Sequence, residues 1–417
     1  MHDSHLSLKV FPRLPLLEYV EELFDAKSSL PLAGFSVLCI QHLLASTGSL
    51  ICSLSRCGAD LSQMQIIGKG YSTNSGVLDI LRECGIRMLN PTFFGAADEP
   101  YDAILAEAVE SAFAYVRNGP CTAPRKLLLL DDGGHAISRA HKLLPPDFTI
   151  MAVEQTTRGI RAASALAPRF PIINVGRSRA KLHLEAPLIA ASMVDHLTRL
   201  LASGRGLFGE VHEVFLIGYG VVGRAVARRL RALGYDVVVF DTAAESRQAA
   251  AADGFPIATD LQTPLARRCV VAASTGGVSF PAGLHGILRS GSVLANMGSS
   301  DLEFAAWELR DGQGVGTTYN VEGHELARDS REAPWNRHYK LTAAAGYRYL
   351  LKGGFPVDFD GGADPIPPSS IQLTRALLLA GVLQASSEMR SGVVQLDDNV
   401  QRLIIDQYIR LASNNHN

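Results

Sequence analysis

Three ionisable side chains in the first half of the chain have types and positions that suit acid–base chemistry. Asp132 follows the apolar run Lys126–Leu130 and precedes two glycines, which is typical of the point where a buried strand meets a loop. His42 lies on a predicted apolar helix, where the alternative is a core histidine. Lys181 lies in a basic stretch, where the alternative is a solvated surface. A carboxylate, an imidazole and an amine could together move the protons of an alcohol or of a leaving group.

A glycine-rich segment in the second half has the features of a dinucleotide site. Gly218-Tyr219-Gly220-Val221-Val222-Gly223 lies between a predicted strand (214–217) and a predicted helix (224–233). In Rossmann units this turn lets the backbone N–H groups of the helix approach a pyrophosphate. Asp241 ends the next strand, where it would accept hydrogen bonds from the adenosine ribose and repel a 2′-phosphate. The segment therefore predicts NAD rather than NADP; the alternative is a Rossmann-like domain without a cofactor.

Other residues are expected to contact NAD because they follow predicted strands. Gln155, at one strand end, could hydrogen-bond NAD together with the next two residues, and the alternative there is a simple strand-end turn. The predicted cofactor-binding residues are Gly218, Gly220, Val221, Val222, Gly223, Asp241, Thr156, Thr157, Ser274, Thr275, Gly276, Asn296, Met297 and Gly298. No metal is predicted, because the acidic and histidine residues between Glu322 and His338 match no ligand spacing.

Alternating strands and helices predict an α/β protein with two doubly wound parallel-sheet domains, the second a Rossmann NAD-binding domain inserted into the first. The expected domains are a discontinuous substrate domain (1–188 plus 346–388), the Rossmann domain (189–345) and a C-terminal tail (389–417). A length of 417 residues is too great for one ordinary core, which agrees with two domains.

Composition excludes several classes of partner. Lys and Arg number 39 against 41 Asp and Glu, so the net charge of −2 provides no bulk attraction for nucleic acid or an anionic membrane. No stretch of about 18 apolar residues predicts a membrane span. The six cysteines lack a disulfide-like spacing, and the N-terminus lacks the features of a signal peptide. We expect a cytoplasmic protein with a small-molecule substrate.

Several separated motifs resemble, in the same order, those of the S-adenosylhomocysteine hydrolase (adenosylhomocysteinase) family. The resemblance covers roughly residues 30–390, and it implies a substrate domain, an NAD domain and a homo-oligomer, either a dimer or a tetramer. It also implies that NAD transiently oxidises a ribose hydroxyl before homocysteine is eliminated. The motifs are Leu130-Asp131-Asp132-Gly133-Gly134, Glu154-Gln155-Thr156-Thr157-Arg158-Gly159, Ile173-Asn174-Val175 through Lys181, the loop 218–223 and Asn296-Met297-Gly298.

The resemblance implies catalytic roles for His42, Asp132, Lys181, Glu185 and Gln155. Lys181 would handle the hydroxyl proton, since an oxidised nicotinamide nearby favours a neutral amine, which suits a general base. Glu185 stands where the family has an aspartate, and Gln155 where it has the catalytic glutamate. Further differences fall on residues that would grip adenosine or line the site: Leu44, Ser46, Ala186 and Ser299.

These differences predict a diverged NAD-dependent enzyme. It would oxidise a secondary alcohol, transiently or net, on a small molecule other than S-adenosylhomocysteine. The alternatives are an inactive NAD-binding regulatory or scaffold protein and, less favoured, a true S-adenosylhomocysteine hydrolase.

Overall fold

The structure, a computed structural model, describes residues 10–91, 99–118, 125–310, 315–327, 330–344 and 346–414. Its strands are β1 Phe35–Gln41, β2 Met64–Gly68, β3 Arg87–Leu89, β4 Lys126–Asp131, β5 Thr149–Glu154, β6 Pro171–Asn174, β7 Glu213–Ile217, β8 Asp236–Phe240, β9 Val270–Ala273, β10 Val293–Asn296, β11 Val315–Asn320, β12 Arg337–Ala343, β13 Gly346–Leu350 and β14 Gly392–Gln395.

The α-helices of the described ranges are α1 Pro15–Leu23, α2 Ala26–Ser29, α3 Ala45–Arg56, α4 Ser75–Glu83, α5 Tyr101–Asn118, α6 His135–Leu143, α7 Thr157–Ser164, α8 Ala186–Ser203, α9 Arg205–Phe208, α10 Val221–Ala232, α11 Ala244–Ala252, α12 Ala306–Arg310, α13 Pro368–Ser387 and α14 Asp398–Asn414. A π-helix covers Lys181–Glu185. In the part of the chain that is described, no helix combines the length and apolar character needed to cross a membrane.

The first sheet is parallel throughout, in the order β14-β6-β5-β4-β1-β2-β3. It belongs to a unit formed by Met1–Pro91, Leu105–Glu185 and Gly361–Asn417, which we call the first unit. Side chains of β1 alternate between two cores: Val37 and Cys39 pack on the face that carries α13, and Leu38 and Ile40 pack on the opposite face. Such coverage of both faces explains the nearly continuous apolar sequence of these strands.

The second sheet has the order β11-β12-β13-β10-β9-β7-β8. It belongs to the second unit, formed by Thr92–Ile104 and Ala186–Asp360. The predicted α/β class and Rossmann character are confirmed, and the second sheet is mixed rather than parallel throughout. Strands β11, β12 and β13 pair antiparallel. Only residues 344 and 345 separate β12 from β13, and so short a connection can join antiparallel but not parallel neighbours.

Two predicted domain limits differ from the limits of the compact units in the structure. The limit at residue 345 precedes β13, which pairs with β10 and β12 in the second sheet, and the second unit continues to Asp360. The segment 389–417, expected as a tail, contains β14, which extends the first sheet beside β6, and helix α14. Leu396 and Ile404 of this segment are fully buried, so the segment belongs to the core of the first unit.

The apolar helix that was predicted to carry His42 begins only at Ala45, because β1 continues through Gln41. The carboxylate of Asp364 accepts hydrogen bonds from the backbone N–H groups of Ala45 (2.7 Å) and Ser46 (3.0 Å). The first N–H groups of a helix need acceptors, and here the acceptor lies 319 residues away in sequence from Ala45. His42 therefore lies in the loop between strand and helix, not on the helix.

Helix α14 permits a test of how much the C-terminal segment stabilises the first unit. Ile404 is fully buried, whereas Ile409 on the same helix is 51% exposed. Ile404→Ala should lower the free energy of unfolding by about 2–5 kcal/mol, because it removes buried apolar contacts and leaves a cavity. The control Ile409→Ala should change that free energy by less than about 0.5 kcal/mol. Urea unfolding followed by circular dichroism measures both, and equal small effects would contradict the role given to α14.

Candidate active site and dinucleotide site

The carboxylate of Asp132 is the centre of a buried polar cluster in the first unit. Its Oδ1 atom lies 2.7 Å from Nζ of Lys69, and its Oδ2 atom lies 3.2 Å from Nε2 of His42. Oδ2 also accepts a hydrogen bond of 2.7 Å from Nε2 of Gln155. Each of these four residues is the first one after a strand: His42 after β1, Lys69 after β2, Asp132 after β4 and Gln155 after β5. Parallel pairing brings those strand ends to one edge of the sheet.

The charges of the cluster set the protonation of its members. Burial opposes ionisation of Asp132, but the Lys69 ammonium and the hydrogen bond from His42 keep the pKa of this carboxyl below its usual range. Burial lowers the pKa of His42, and the Lys69 ammonium lowers it further. We therefore assign His42 as neutral, with Nε2–H donating to Asp132. Its Nδ1 lies 2.6 Å from the hydroxyl of Ser72, which can donate to it.

Lys181 and Glu185 form a second buried ion pair in the same unit. Both lie on the π-helix, and Nζ of Lys181 donates to the two carboxylate oxygens of Glu185 at 2.7 and 2.8 Å. The Glu185 side chain is 5% exposed and that of Lys181 is 18% exposed. A proton that leaves Nζ of Lys181 thus has an acceptor in place.

Several polar residues of this edge were missed by the sequence analysis. Gln41 donates from Nε2 to Oε1 of Gln155 (2.9 Å), and Arg375 donates from Nη1 to Oε1 of Gln41 (3.4 Å). Lys69 did carry a signal, because it stands between two glycines directly after an apolar strand. Arg375 carried another, since it is the sole charged residue of α13.

The threonines predicted to contact NAD lie in the first unit and hold its backbone. Oγ1 of Thr156 accepts the N–H of Gly159 and thereby caps helix α7, and the same hydroxyl donates to Glu154. The Thr157 hydroxyl lies 3.4 Å from the carbonyl oxygen of Gly176. These hydrogen bonds give both threonines a structural role within the first unit. Their contact with NAD stays a prediction.

Asp131 and Glu154 form a buried carboxyl pair directly behind the cluster. They are register partners on β4 and β5, and both are fully buried. Oδ1 of Asp131 and Oε2 of Glu154 have no hydrogen-bond partner among the described residues. Burial raises the pKa of Asp131 to about 6, and burial together with the Asp131 charge raises the pKa of Glu154 well above its usual value. The pair therefore retains a proton near neutral pH, because two adjacent buried carboxyls resist ionising together.

The glycine-rich loop of the second unit connects β7 to α10. Gly218 has φ +99°, in the left-handed region that favours glycine. A Cβ atom on Gly223 would lie 2.1 Å from the carbonyl oxygen of Gly218, so this close approach requires glycine. A Cβ atom on Gly220, by contrast, would have nothing within 4 Å. Open space beside the free N–H groups of Val221 and Val222 fits a pyrophosphate.

Asp241 follows β8 and is held beside this loop. Its Oδ2 accepts the backbone N–H of Tyr219 (2.7 Å), and its Oδ1 accepts that of Ala243 (2.8 Å). Each carboxylate oxygen keeps a lone pair that could accept from a ribose hydroxyl. The geometry fits the adenosine half of NAD, and the preference for NAD over NADP stays a prediction.

The loops after β9 and β10 are organised by two buried side chains. Glu303, which the sequence analysis missed, accepts from the backbone N–H groups of Thr275 and Gly276 and from the hydroxyl of Ser279. Ser274 donates its backbone N–H to Ile217 at the end of β7.

Asn296, the last residue of β10, holds the loop after that strand, as Glu303 holds the loop after β9. It donates to the carbonyl oxygens of Ser300 and Gly354 and accepts the N–H of Gly298. The Met297 side chain is fully buried in the core, so only its backbone could contact a cofactor.

The residues considered for a metal do not form a site in the described ranges. No group of three or more His, Cys, Asp or Glu side chains placed to bind a metal occurs there. Asp329, one member of the acidic stretch, lies outside the described residues.

Comparison with known proteins supports the assignment of the second unit. Residues 213–307 match the family model of the NAD binding domain of 6-phosphogluconate dehydrogenase. The match covers the glycine-rich loop, Asp241 and the loops after β9 and β10. The second unit thus contains an NAD-binding domain, as predicted, and NAD is its cofactor.

Longer matches relate the chain to curated proteins. It is 34% identical over 359 residues to an uncharacterized protein of Mycobacterium tuberculosis strain H37Rv, covering 85% of this chain and 65% of that relative. It is 27% identical to the S-inosyl-L-homocysteine hydrolase of Methanopyrus kandleri, covering 94% of this chain and 86% of the relative. It is 24% identical to the adenosylhomocysteinase of Sulfolobus acidocaldarius, covering 94% and 88%. The chain thus spans about 65% of the length of its mycobacterial relative and is distantly similar to adenosylhomocysteinases.

Gly220 and Gly223 should respond differently to replacement by alanine. Gly223→Ala should destabilise the ligand-free protein, because the new Cβ meets the Gly218 carbonyl oxygen. Gly220→Ala should leave ligand-free stability within about 0.5 kcal/mol of the original, yet its methyl group should weaken NAD binding. Thermal unfolding with and without NAD separates the effects, because a ligand stabilises only the form that binds it. Undiminished stabilisation of Gly220→Ala by NAD would contradict the placement of the pyrophosphate.

The Asp131–Glu154 pair predicts a pH-dependent stability. A carboxyl whose pKa is higher in the folded protein than in the unfolded chain stabilises the fold at low pH, and this stabilisation is lost as the pH rises through the folded value, about 6 for Asp131. Asp131→Asn removes one of the two acids and should flatten this fall. The control Asp147→Asn changes an exposed carboxyl and should leave the fall of stability with pH unchanged. Urea unfolding across the pH range measures both, and equal slopes for all three proteins would refute the shared proton.

Proposed function

We propose that this chain is an NAD-dependent enzyme that oxidises a secondary alcohol on a small molecule, transiently or as the net reaction. The observation that carries the proposal is the convergence of His42, Lys69 and Gln155 on the buried carboxylate of Asp132. Such a network holds an ionised carboxylate and a neutral imidazole in fixed positions, which general acid–base chemistry requires. The NAD-binding domain of the second unit supports the redox part of the proposal.

When bound, NAD would accept the hydride from the carbon that bears the hydroxyl group. Lys181 is the group proposed to take the hydroxyl proton, and Glu185, in contact with Nζ, is placed to receive it in turn. His42 can take a proton at Nδ1 by way of the Ser72 hydroxyl that contacts it, since Nε2–H is held by Asp132. Gln155 orients neighbours through its amide but cannot ionise, so steps that need a second carboxylate are expected to be slow.

The relatives suggest which alcohols to test first. The Methanopyrus and Sulfolobus proteins are named as hydrolases of S-nucleosyl homocysteines, and we extend a nucleoside substrate to this chain as part of the proposal. S-Adenosylhomocysteine itself is not the proposed substrate, because Leu44, Ser46, Ala186 and Ser299 replace the side chains that the resemblance would require. A homo-oligomer in the cytoplasm stays a prediction.

An inactive NAD-binding protein is the second candidate, and one observation favours it. The amide of Gln155 is committed at both ends, donating to Asp132 and accepting from Gln41. A glutamine held in this way cannot replace a catalytic carboxylate. In such a protein NAD would bind without being reduced by any alcohol.

Replacement of Lys181 tests the enzyme proposal. Lys181→Met should abolish the alcohol-dependent reduction of bound NAD while leaving NAD affinity nearly unchanged, because it removes the proton acceptor and not the cofactor contacts. The matched control is Lys142→Met, which changes an exposed lysine. The measurement is the absorbance of reduced nicotinamide after addition of a panel of nucleosides and polyols.

Two outcomes would contradict the proposal, and each would favour a different function. If no alcohol of the panel reduces NAD in the unaltered protein, the inactive NAD-binding protein is the better account. If S-adenosylhomocysteine releases homocysteine at rates usual for enzymes, about 1–10³ s⁻¹, the chain is a true hydrolase.

A further inference from the structure

Arg375 is a buried guanidinium that lacks an ion-pair partner in the described ranges. The residue is 4% exposed, and no carboxylate of those ranges lies within 4.0 Å of its nitrogens. Nε and Nη2 donate to the Ser46 hydroxyl at 3.3 and 3.2 Å, and Nη1 donates to Gln41 at 3.4 Å. A guanidinium has five N–H donors, so these long bonds to neutral oxygens leave two donors unused. A buried cation held so loosely is costly unless a ligand completes its hydrogen bonding.

Asp364 provides an acceptor next to this donor. Its two carboxylate oxygens accept the backbone N–H groups of Ala45 and Ser46, one each, and each oxygen keeps a lone pair. Ser46 lies between the two charged groups, with its N–H on the carboxylate of Asp364 and its hydroxyl on the guanidinium of Arg375. Burial lowers the pKa of Arg375, and the Asp364 carboxylate opposes that shift more strongly than Glu185 or Asp132 does.

The charges of this edge of the first sheet decide which ligand groups fit. The buried or half-buried charges of this edge balance. The cations are Lys69, Lys181, Arg375 and Arg158, and the anions are Asp132, Glu185, Asp364 and the single negative charge of the Asp131–Glu154 pair. An anionic ligand group would add an uncompensated charge to the interior, which is unfavourable. A neutral group that presents a hydrogen-bond acceptor beside a donor satisfies both Arg375 and Asp364.

We propose that Arg375 and Asp364 bind a neutral lactam edge, –CO–NH–, of the kind found in a 6-oxopurine. Arg375 donates to the carbonyl oxygen, and Asp364 accepts from the adjacent N–H. Pairing of a guanidinium with a purine O6 is a recurrent contact in recognition of bases. The inference rests on the proposed function, because it names the base of the nucleoside substrate.

Adenine is the informative competitor, because its edge has the opposite pattern. It places an amino group, a donor, where the lactam has its carbonyl, so that two donors meet at Arg375. Its unprotonated ring nitrogen would oppose the Asp364 carboxylate with a lone pair. Both mismatches leave buried polar groups unpaired, which rejects a ligand more strongly than the loss of apolar contact.

The lactam contact is connected to the Asp132 cluster through side chains. Arg375 donates to Oε1 of Gln41, whose Nε2 donates to Gln155, which in turn donates to Asp132. Recognition of the base and proton handling thus share one edge of the first sheet.

Calorimetry on the full chain tests the proposal with inosine, adenosine and purine riboside, which lacks the 6-substituent. Inosine should bind at least about fivefold more tightly than adenosine, the lower end of the discrimination that a bidentate base contact provides. Arg375→Met should remove this preference. Asp364→Asn keeps one oxygen that can accept a helix N–H and gains a donor in place of the other oxygen, so it should shift the ratio toward adenosine. Arg390→Met, which changes an arginine whose side chain is 74% exposed, is the control.

If a variant fails to fold, the inosine and adenosine affinities of the unaltered protein still test the proposal. The proposal is overturned if adenosine binds as tightly as inosine, if Arg375→Met retains the preference, or if none of the three nucleosides binds. Reduction of NAD by inosine and adenosine alike would overturn the lactam proposal and leave the proposed function intact. Absence of NAD reduction despite selective inosine binding would overturn the proposed function and leave the lactam contact standing.

Discussion

The ionised carboxylate of Asp132 can exist in the interior because three donors from other strands converge on it. His42, Lys69 and Gln155 each follow a different strand, and only the parallel register of the first sheet brings them to one carboxylate. An unpaired buried charge would be strongly destabilising. The arrangement of the sheet and the chemistry of its edge therefore depend on the same contacts.

At the ends of β4 and β5, neighbouring residues belong to two different polar groups. Asp132 and Gln155 belong to the polar cluster, whereas Asp131 and Glu154, one position earlier, form the buried carboxyl pair behind it. Successive side chains of a strand point to opposite sides, which separates the two pairs in space. The retained proton limits the inner pair to one negative charge instead of two, so the protonation of the inner pair contributes to the electrostatics around Asp132.

In the second unit, buried polar side chains fix the loops. The backbone N–H groups of the glycine-rich loop stay available to bind the cofactor. Glu303 and Asn296 each bind backbone groups of the loop beside them, and the glycine-rich loop is held by the contact between Gly218 and Gly223. The dinucleotide side thus keeps the features of an NAD-binding domain. The first unit instead places the charged groups Lys69, Arg375 and Asp364 at one edge of its sheet.

The sequence by itself determined the α/β class, the NAD-binding unit and the position of Asp132, because buried parallel strands and glycine-rich turns are local signals. It did not reveal that Asp364 starts helix α3, that residues 392–395 extend the first sheet, or that Arg375 reaches Gln41. Those contacts join residues more than 200 positions apart, and no periodicity records them. His42 shows the difference most clearly, because its residue type was visible in the sequence but its placement was not. The tertiary structure puts it in a loop beside Asp132, between the end of β1 at Gln41 and a helix start that a distant carboxylate caps.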